Sequence, residues 1–215
     1  MHSDDTQPAS EFWDGFYRER ERVWSGKPNA ALVREIGLVA PGRALELGCG
    51  EGADAIWLAQ RGWTVTGVDV SAVALERAAR HAEEAGVADR TTWVQRDLAE
   101  WEPDSEYDLV SAQFLHSPIS LPREQILRVA VRAVAPGGLL FVVGHTAFPP
   151  WGRHEHEREA AELPSAEELA DSLGLRTAGW AVDAATSEGR EVTGPEGQTA
   201  VLTDAILKAR RAPLW

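Results

Sequence analysis

The strongest constraint on the fold of this chain is a glycine cluster, Gly-Cys-Gly-Glu-Gly at residues 48–52, between an apolar run at 44–47 and a helical pattern at 53–60. Glycines at this spacing let the backbone turn tightly and approach a bound molecule closely. The helix that follows directs its unpaired N–H groups toward the same place. A strand, a glycine turn and a helix in this order predict a site for a nucleotide-like ligand.

Strands and helices continue to alternate through the rest of the chain. Strands are predicted at 44–47, 64–69, 92–95, 107–111 and 139–144. Helices are predicted at 53–60, 71–85, 121–134 and 165–173, with Ser71 and Ser165 as N-caps. This alternation predicts an α/β fold, with a doubly wound, mostly parallel sheet and helices on both faces. Two later strands, 175–184 and 199–208, flank a Gly/Pro turn at 189–197 and predict an antiparallel C-terminal hairpin.

The domain organisation follows from length and local composition. The 215 residues suffice for one well-buried domain. Residues 1–10 are polar and predict a disordered tail, which leaves 11–215 as a single domain. Within this domain, amphipathic helices are predicted at 11–24 and 29–38.

Charge and composition exclude several classes of partner. The formal net charge of −13 weighs against nucleic acid, because phosphate backbones are held by clustered Lys and Arg. It also disfavours strongly anionic substrates, unless the fold assembles a local basic patch. Cys49 is the only cysteine, so we expect no internal disulfide. The start, Met-His-Ser-Asp-Asp, is unlike a signal peptide, and no run approaches the ~20 apolar residues of a membrane span. We therefore expect a cytoplasmic protein with neither nucleic acid nor membrane as partner, and the oligomeric state stays open.

The glycine loop by itself admits several interpretations. Its glycines can serve only to form a turn, and residues 48–53 also fit the dinucleotide pattern G-x-G-x-x-A. However, Glu46 before the glycines and Glu51 among them would repel a diphosphate. S-adenosylmethionine (SAM) has no phosphate and carries a sulfonium cation and an amino group, which suit nearby carboxylates. Asp69, at the end of the next strand, is placed to accept hydrogen bonds from the ribose hydroxyls of an adenosine.

A series of segments resembles, in the same order, the motifs of class I SAM-dependent methyltransferases. They are 44–52 (Ala-Leu-Glu-Leu-Gly-Cys-Gly-Glu-Gly), 65–71 (Val-Thr-Gly-Val-Asp-Val-Ser), 96–98 (Arg-Asp-Leu), 107–110 (Tyr-Asp-Leu-Val) and 135–140 (Ala-Pro-Gly-Gly-Leu-Leu). The resemblance implies SAM as cofactor and a seven-stranded sheet that ends in an antiparallel hairpin. Over a shorter match, residues 24–29 resemble a tryptophan-bearing segment that folds over SAM in thiopurine and tellurite-type methyltransferases. Trp13, Tyr17 and Trp24 would have that role here, so the resemblance implies an N-terminal helical lid over 11–40.

The resemblance also implies roles for individual residues. Those implied to bind SAM are Trp24, Glu46, Gly48, Cys49, Gly50, Asp69, Val70, Asp97, Leu98, Gln113 and Phe114. Among them, Asp69 would hold the ribose and Asp97 would contact the adenine amino group, whereas Glu46 would orient the loop or reach the methionine end. Gln113 and Phe114 would border the methionine end and the reactive methyl group.

Two histidines are predicted to face the methyl acceptor, since His116 follows the fourth strand and His145 follows the fifth. Either would be a suitable general base for a hydroxyl or amine acceptor, whereas a thiolate needs no base. Residues 111–114, Ser-Ala-Gln-Phe, lack the N-P-P-[YF] motif of methyltransferases that act on amino groups of nucleobases or glutamine. Together with the acidic charge, this favours a small-molecule acceptor with an S, Se, Te, O or N nucleophile.

The sequence also allows other interpretations of the site and of the function. A loop predicted over the strand ends, 147–163, holds His154 and His156, but their spacing with His145 does not match an established zinc pattern, and no metal site is predicted. The leading hypothesis is a SAM-dependent methyltransferase that acts on a small molecule. The alternative is a catalytically silent SAM-binding protein with a regulatory or scaffold role. An NAD-dependent oxidoreductase is disfavoured by the acidic loop.

Overall fold

The computed structural model describes residues 7–146, 163–177, 179–194 and 196–214. In chain order its helices and strands are α1 (Ala9–Arg18), α2 (Ala30–Ile36), β1 (Arg43–Leu47), α3 (Ala53–Gln60), β2 (Thr64–Asp69), α4 (Ala72–Glu84), β3 (Thr91–Gln95), β4 (Tyr107–Gln113), α5 (Arg123–Arg132), β5 (Val134–His145), α6 (Ala166–Ser172), β6 (Trp180–Thr193) and β7 (Thr199–Arg211). The predicted loop at 147–163, with His154 and His156, lies outside the described residues except at its last position.

The strands form one seven-stranded sheet in the order β3-β2-β1-β4-β5-β7-β6. Strands β1 to β5 pair in parallel, whereas β7 is antiparallel to both β5 and β6. The predicted α/β fold, a doubly wound and mostly parallel sheet with a C-terminal antiparallel hairpin, is confirmed. The strand order reverses direction between β1 and β4. In open α/β sheets, ligands bind at such a reversal, in the crevice outside the carboxyl ends of the strands.

Apolar side chains cover both faces of the sheet. Leu140 of β5 packs with Ile126 of α5 and Leu169 of α6. The next residue, Phe141, belongs instead to the cluster that contains Leu32 of α2 and Leu58 and Trp63 around α3. Successive side chains of a strand point to opposite faces, so β5 holds helices on both sides. The carboxyl ends of the strands stay open for a ligand.

The N-terminal helix differs from its prediction at both ends. Helix α1 begins at Ala9, so Ala9 and Ser10 lie in a helix and not in the predicted disordered tail. Its first turn forms because the carbonyl oxygen of Pro8 accepts hydrogen bonds from the N–H groups of Glu11 and Phe12. The predicted extension of this helix to residue 24 is also wrong, since α1 ends at Arg18. Residues 1–6 lie outside the described part of the chain.

The C-terminal hairpin is longer than predicted. Its pairing continues to Thr193 opposite Thr199, so residues 189–193, predicted as part of a turn, are strand. Strand β5 pairs with β7 only as far as His145, which lies opposite Asp204. The distal part of the hairpin therefore projects past the carboxyl end of β5, over the expected ligand crevice.

Local signals fix the beginnings of two helices as predicted. The side chain of Ser71 accepts a hydrogen bond from the N–H of Ala74 and caps α4. Ser165 and Glu168 form a reciprocal capping box at the start of α6. Across the described residues, no helix combines the length and the apolarity that crossing a bilayer requires.

Candidate cofactor and acceptor site

A cavity of about 910 Å³ opens at the carboxyl ends of the parallel strands. It is bounded by the glycine loop, the N-terminal segment and the projecting hairpin. Every residue predicted to bind SAM or to act as a base lines it, namely Trp24, Glu46, Gly48, Cys49, Gly50, Asp69, Val70, Asp97, Leu98, Gln113, Phe114, His116 and His145. The fold thus brings these residues together, while their individual roles stay predictions.

Asp69 holds the glycine loop in place. Its Oδ2 accepts a hydrogen bond from the N–H of Gly50 at 2.8 Å, and its Oδ1 accepts from the N–H of Ser71 at 2.9 Å. Gly50 has a φ of +52°, and a Cβ there would lie 3.0 Å from the hydroxyl of Tyr17. Only glycine fits this turn, which keeps the backbone close to the cavity. Burial raises the pKa of Asp69.

Glu46 presents a buried carboxylate to the same cavity. It is only 3% exposed, and burial together with the neighbouring Asp54 raises its pKa well above the usual value. Its Oε2 has no hydrogen-bond partner among the described residues, and neither has the buried Oε1 of Gln113. Two unpartnered acceptors beside a glycine cradle fit the amino cation at the methionine end of SAM.

Glu51 has a different role from the one expected. Its Oε1 accepts from Arg77 at 2.9 Å, and its Oε2 accepts from the N–H groups of Val23 and Trp24 at 3.2 and 3.1 Å. Burial would raise the pKa of Glu51, but these bonds outweigh it and the pKa is lowered. The charge of Glu51 is thus balanced by Arg77 and holds the N-terminal segment, so Glu46 is the carboxylate left for a sulfonium or amino cation.

The N-terminal segment lies over the glycine loop. The indole N–H of Trp24 donates to the hydroxyl of Tyr17 at 2.9 Å, and a Cβ on Gly50 would lie 3.3 Å from that nitrogen. Farther along, the N–H of Asn29 donates to Asp54 at 2.6 Å. The segment is therefore fastened by carboxylates of the loop and of α3.

The end of the cavity where the adenine is predicted to bind is more open. Leu98 is buried at 8% exposure, whereas Asp97 is exposed and its Oδ1 accepts a hydrogen bond from the N–H of Ala99. Cys49 is buried, and burial raises the pKa of its thiol well above the usual value. An uncharged buried thiol is a poor nucleophile, which agrees with a packing role for this side chain.

At the other end of the cavity, His145 lies between two aromatic rings. Its ring centroid is 4.4 Å from that of Phe114 and 5.2 Å from that of His116. Phe114 has a φ of +50°, an unusual conformation for a residue with a side chain that is found at functional sites. Nδ1 of His145 lies 2.8 Å from Oδ1 of Asp204, whose Oδ2 accepts from Nε of Arg190 at 2.6 Å.

The two predicted base candidates are held in different ways. Nε2 of His116 accepts a hydrogen bond from the backbone N–H of His145 at 3.0 Å, which places the ring proton on Nδ1. Burial, followed by the charge of Arg123, lowers the pKa of His116 to about 3. His116 is therefore neutral at physiological pH and part of the wall behind His145.

The sequence motifs did not predict Asp204 or Arg190 as residues of the site. A lone acidic residue within the apolar run around Asp204 was the available signal, because a buried carboxylate in a strand needs a partner. Arg190 lies in the segment predicted as a turn, where an arginine side chain is expected to be exposed to solvent. As for metals, no suitable group of His, Cys, Asp and Glu occurs in the described ranges, from which His154 and His156 are missing.

Part of this chain is similar in sequence to known methyltransferases. A family model described as a methyltransferase domain matches residues 44–138. The 2-heptyl-1-hydroxyquinolin-4(1H)-one methyltransferase of Mycobacteroides abscessus is 36% identical over 138 residues, which are 59% of this chain and 58% of that relative. The matched part is thus little more than half of the relative's length.

Solved structures agree over almost the whole chain. One, from work on the conversion of a disulfide bond into a thioacetal group during echinomycin biosynthesis, is 26% identical, with a TM-score of 0.66 over 94% of this chain and 93% of that one. Magnesium protoporphyrin IX methyltransferase from Synechocystis PCC 6803, solved with bound SAH, is 20% identical. Its TM-score is 0.66 over 97% of this chain and 100% of that one, which supports the fold.

The matched residues include the glycine loop, Asp69 and Asp97, which the sequence motifs had assigned to the cofactor. The acidic pocket beside the loop suits a cation and not a diphosphate, so an NAD-dependent oxidoreductase is set aside. Residues 44–138 match a methyltransferase domain, and the motifs, the sheet and the relatives together support a class I SAM-dependent methyltransferase with SAM as its cofactor.

Proposed function

We propose that this protein transfers the methyl group of SAM to a hydroxyl oxygen of a small molecule, with His145 as the general base. The observation that carries this proposal is the hydrogen bond between His145 and Asp204 inside the cavity. A carboxylate on Nδ1 orients the imidazole and stabilises its protonated form. A thiolate acceptor would not need such a pair.

The cofactor half of the cavity has groups for each part of SAM. Glu46 and Gln113 offer unpartnered acceptor atoms to the amino group, and the glycine loop leaves room for the methionine and ribose parts. Asp69 keeps acceptor capacity for the ribose hydroxyls, since each carboxylate oxygen can accept more than one bond. When bound, SAM would supply an electrophilic methyl carbon and a sulfonium that leaves as a thioether with the electron pair of the broken bond.

The acceptor half supplies alignment and proton removal. The hydroxyl oxygen forms the new bond to the methyl carbon, and its proton passes to His145. Because Nδ1 is bonded to Asp204, Nε2 is the ring nitrogen that takes the proton. Trp24 and Phe114 line the cavity on opposite halves and help to exclude water from the reacting groups.

His145 is preferred to His116 on electrostatic grounds. The pKa of His116 is lowered to about 3, and its Nε2 is bonded to a backbone N–H. A base this weak gives little assistance near neutral pH. His116 instead positions His145 through that backbone bond and through stacking of the two rings, whose planes lie within 8° of parallel.

The nature of the acceptor is inferred from two further observations. The cavity is large enough to hold a small aromatic molecule beside the cofactor, and apolar residues such as Ile119, Leu121 and Leu202 line it. The relative from Mycobacteroides abscessus is named for a hydroxyquinolinone substrate. A catalytically silent SAM-binding protein would have no use for an oriented histidine and carboxylate pair at this place.

The test is a turnover assay with matched hydroxyl and thiol acceptors. The purified chain is incubated with SAM and either a phenol or the corresponding thiophenol, and S-adenosylhomocysteine release is measured. His145→Gln should lower turnover of the phenol about 10²- to 10⁴-fold, the usual contribution of a general base, and spare the thiophenol. Calorimetry should give an unchanged SAM affinity for the variant. Equal loss on both acceptors would overturn the role of His145, and no turnover of hydroxyl acceptors by the unmodified chain would overturn O-methylation.

A further inference from the structure

We propose that the acceptor carries an oxygen anion, such as a carboxylate, close to the hydroxyl group that is methylated, and that Arg190 binds this anion. The inference rests on the proposed transfer to oxygen, because it places the hydroxyl at His145. Arg190 thereby determines which acceptor binds and takes no part in the chemical step.

The first support is the geometry of Arg190. Its Nε donates to Asp204, which fixes the guanidinium beside the histidine and carboxylate pair. Its Cζ lies 5.7 Å from the centre of the Phe114 ring, and its side chain is 45% exposed where it lines the cavity. Nη1 and Nη2 make no hydrogen bond to any residue that the structure describes. A planar group with its outer N–H donors turned to a cavity is suited to bind a carboxylate at two points.

The second support is the short distance between His145 and Arg190 that their shared partner Asp204 imposes. The two oxygens of this carboxylate bind Nδ1 of His145 and Nε of Arg190. The histidine and the guanidinium are therefore held side by side by a single small group. A molecule that meets both must present its hydroxyl and its anion a few bonds apart, as an ortho-hydroxy aromatic acid does.

The third support is the distribution of charge around the cavity. The cofactor end has the carboxylates Glu46, Asp54 and Asp69. On the side of the hairpin and the N-terminal segment, Arg22 and Lys27 also line the cavity and form no ion pair within the described ranges. The hairpin carboxylates Glu188 and Asp204 are paired with Arg34 and Arg190, so Arg22 and Lys27 add positive charge to the cavity lining and favour an anionic acceptor.

An alternative role for Arg190 is only to hold the projecting part of the hairpin in place. Another ion pair already does this: Arg34 of α2 donates to both carboxylate oxygens of Glu188, at 3.1 and 2.7 Å. Glu188 lies opposite Asp204 in the strand pairing, so it anchors the same part of the hairpin. This pair also provides a matched control, because Arg34 is a second arginine that lines the cavity.

The test compares a charged probe with a neutral one of the same shape, 2-hydroxybenzoate and 2-hydroxybenzamide. Binding of each is measured by calorimetry with the full chain saturated with S-adenosylhomocysteine, so the readout does not depend on turnover. The acid should bind at least about tenfold more tightly than the amide, in line with charge-assisted hydrogen bonds. Arg190→Gln should remove this preference, whereas Arg34→Gln should keep it.

Turnover separates this proposal from the proposed function. With SAM, Arg190→Gln should raise KM for 2-hydroxybenzoate about tenfold or more and change kcat little, because binding and not chemistry is lost. Equal binding of acid and amide, or a preference that survives Arg190→Gln, would overturn the role of Arg190 even if phenols are methylated. Conversely, an acid preference that depends on Arg190 without any turnover would leave this binding role standing and overturn O-methylation.

Discussion

Arg77 of α4 donates from Nη1 to Glu51 of the glycine loop at 2.9 Å, and the two side chains are only 12% and 6% exposed. Nη2 of the same arginine donates to the carbonyl oxygens of Tyr17 and Arg20. Glu51 in turn accepts from the N–H of Trp24. One buried ion pair thus connects the glycine loop, helix α4 and the N-terminal segment that covers the loop.

Removing one partner of this pair should destabilise the protein strongly. Arg77→Met leaves the charge of Glu51 buried without its counter-ion, which costs about 3–5 kcal/mol in the free energy of unfolding. Urea unfolding at pH 7 measures this loss. As a control, Arg128→Met removes an exposed pair with Glu124 and should cost less than about 1 kcal/mol. The double variant Glu51→Gln/Arg77→Met should recover part of the loss, and losses that simply add would contradict an ion pair that acts as a unit.

The stability of the protein should depend on pH through Asp54. Burial raises the pKa of Asp54 to about 6 in the folded state, from the usual 3.8. Between these values the folded state binds more protons than the unfolded state, so this group's contribution to stability falls as the pH rises toward 6. Asp54→Asn should therefore stabilise the ligand-free protein by roughly 1–3 kcal/mol at pH 8 and have little effect at pH 4.

Urea titrations of the Asp54→Asn variant and the unmodified chain at both pH values measure this difference. Asp89→Asn, on an exposed turn, is the matched control and should not change the pH dependence. The amide can still accept the hydrogen bond from the N–H of Asn29. A variant with the same stability difference at pH 4 and pH 8 would contradict the raised pKa.

Glu46→Gln tests which part of SAM this carboxylate meets. An amide in place of the carboxylate removes the attraction to the amino cation, and SAM affinity should fall about tenfold or more. S-adenosylhomocysteine has the same amino group but no sulfonium, so calorimetry should show an equal loss for both molecules. A loss confined to SAM would mean that Glu46 faces the sulfonium instead. Glu100→Gln, on the surface, should change neither affinity.

Asp204→Asn tests the orientation of His145. The variant loses the charge that stabilises the protonated imidazole and turns an amide N–H₂ toward Arg190 or His145. Turnover of a phenol should fall about 10- to 100-fold, while turnover of a thiophenol and the affinity for SAM stay the same. A loss that is the same for the two acceptors would show that Asp204 only supports the hairpin.

The cofactor half of the site was predictable from local sequence. The glycine loop follows one strand and Asp69 ends the next. Because parallel strands end at the same edge of the sheet, these short motifs predict that the two lie side by side. The predictions of a cytoplasmic location, a single domain and no nucleic-acid partner rest on composition and length alone, and they stay predictions.

The acceptor half was only partly predictable, because it depends on contacts distant in the chain. His145 meets Asp204 through the antiparallel pairing of β5 with β7, and Arg190 reaches Asp204 from the neighbouring strand β6. Glu51 was expected to face a cation of the cofactor, but the long-range contact with Arg77 gives it another partner. Pairing between distant strands cannot be read from residues that are neighbours in sequence.

The projecting hairpin carries groups of the acceptor half of the cavity, whereas the glycine loop and Asp69 belong to other strands. Because the buried pairing of 205–210 with β5 fixes the register of β7, inserting one residue between Asp204 and Ala205 would move the Asp204 carboxylate away from His145 and put the new residue beside it. Such a change would leave the glycine loop and Asp69 untouched. The hairpin is therefore the natural target for redesigning which molecule is methylated while keeping the methyl donor.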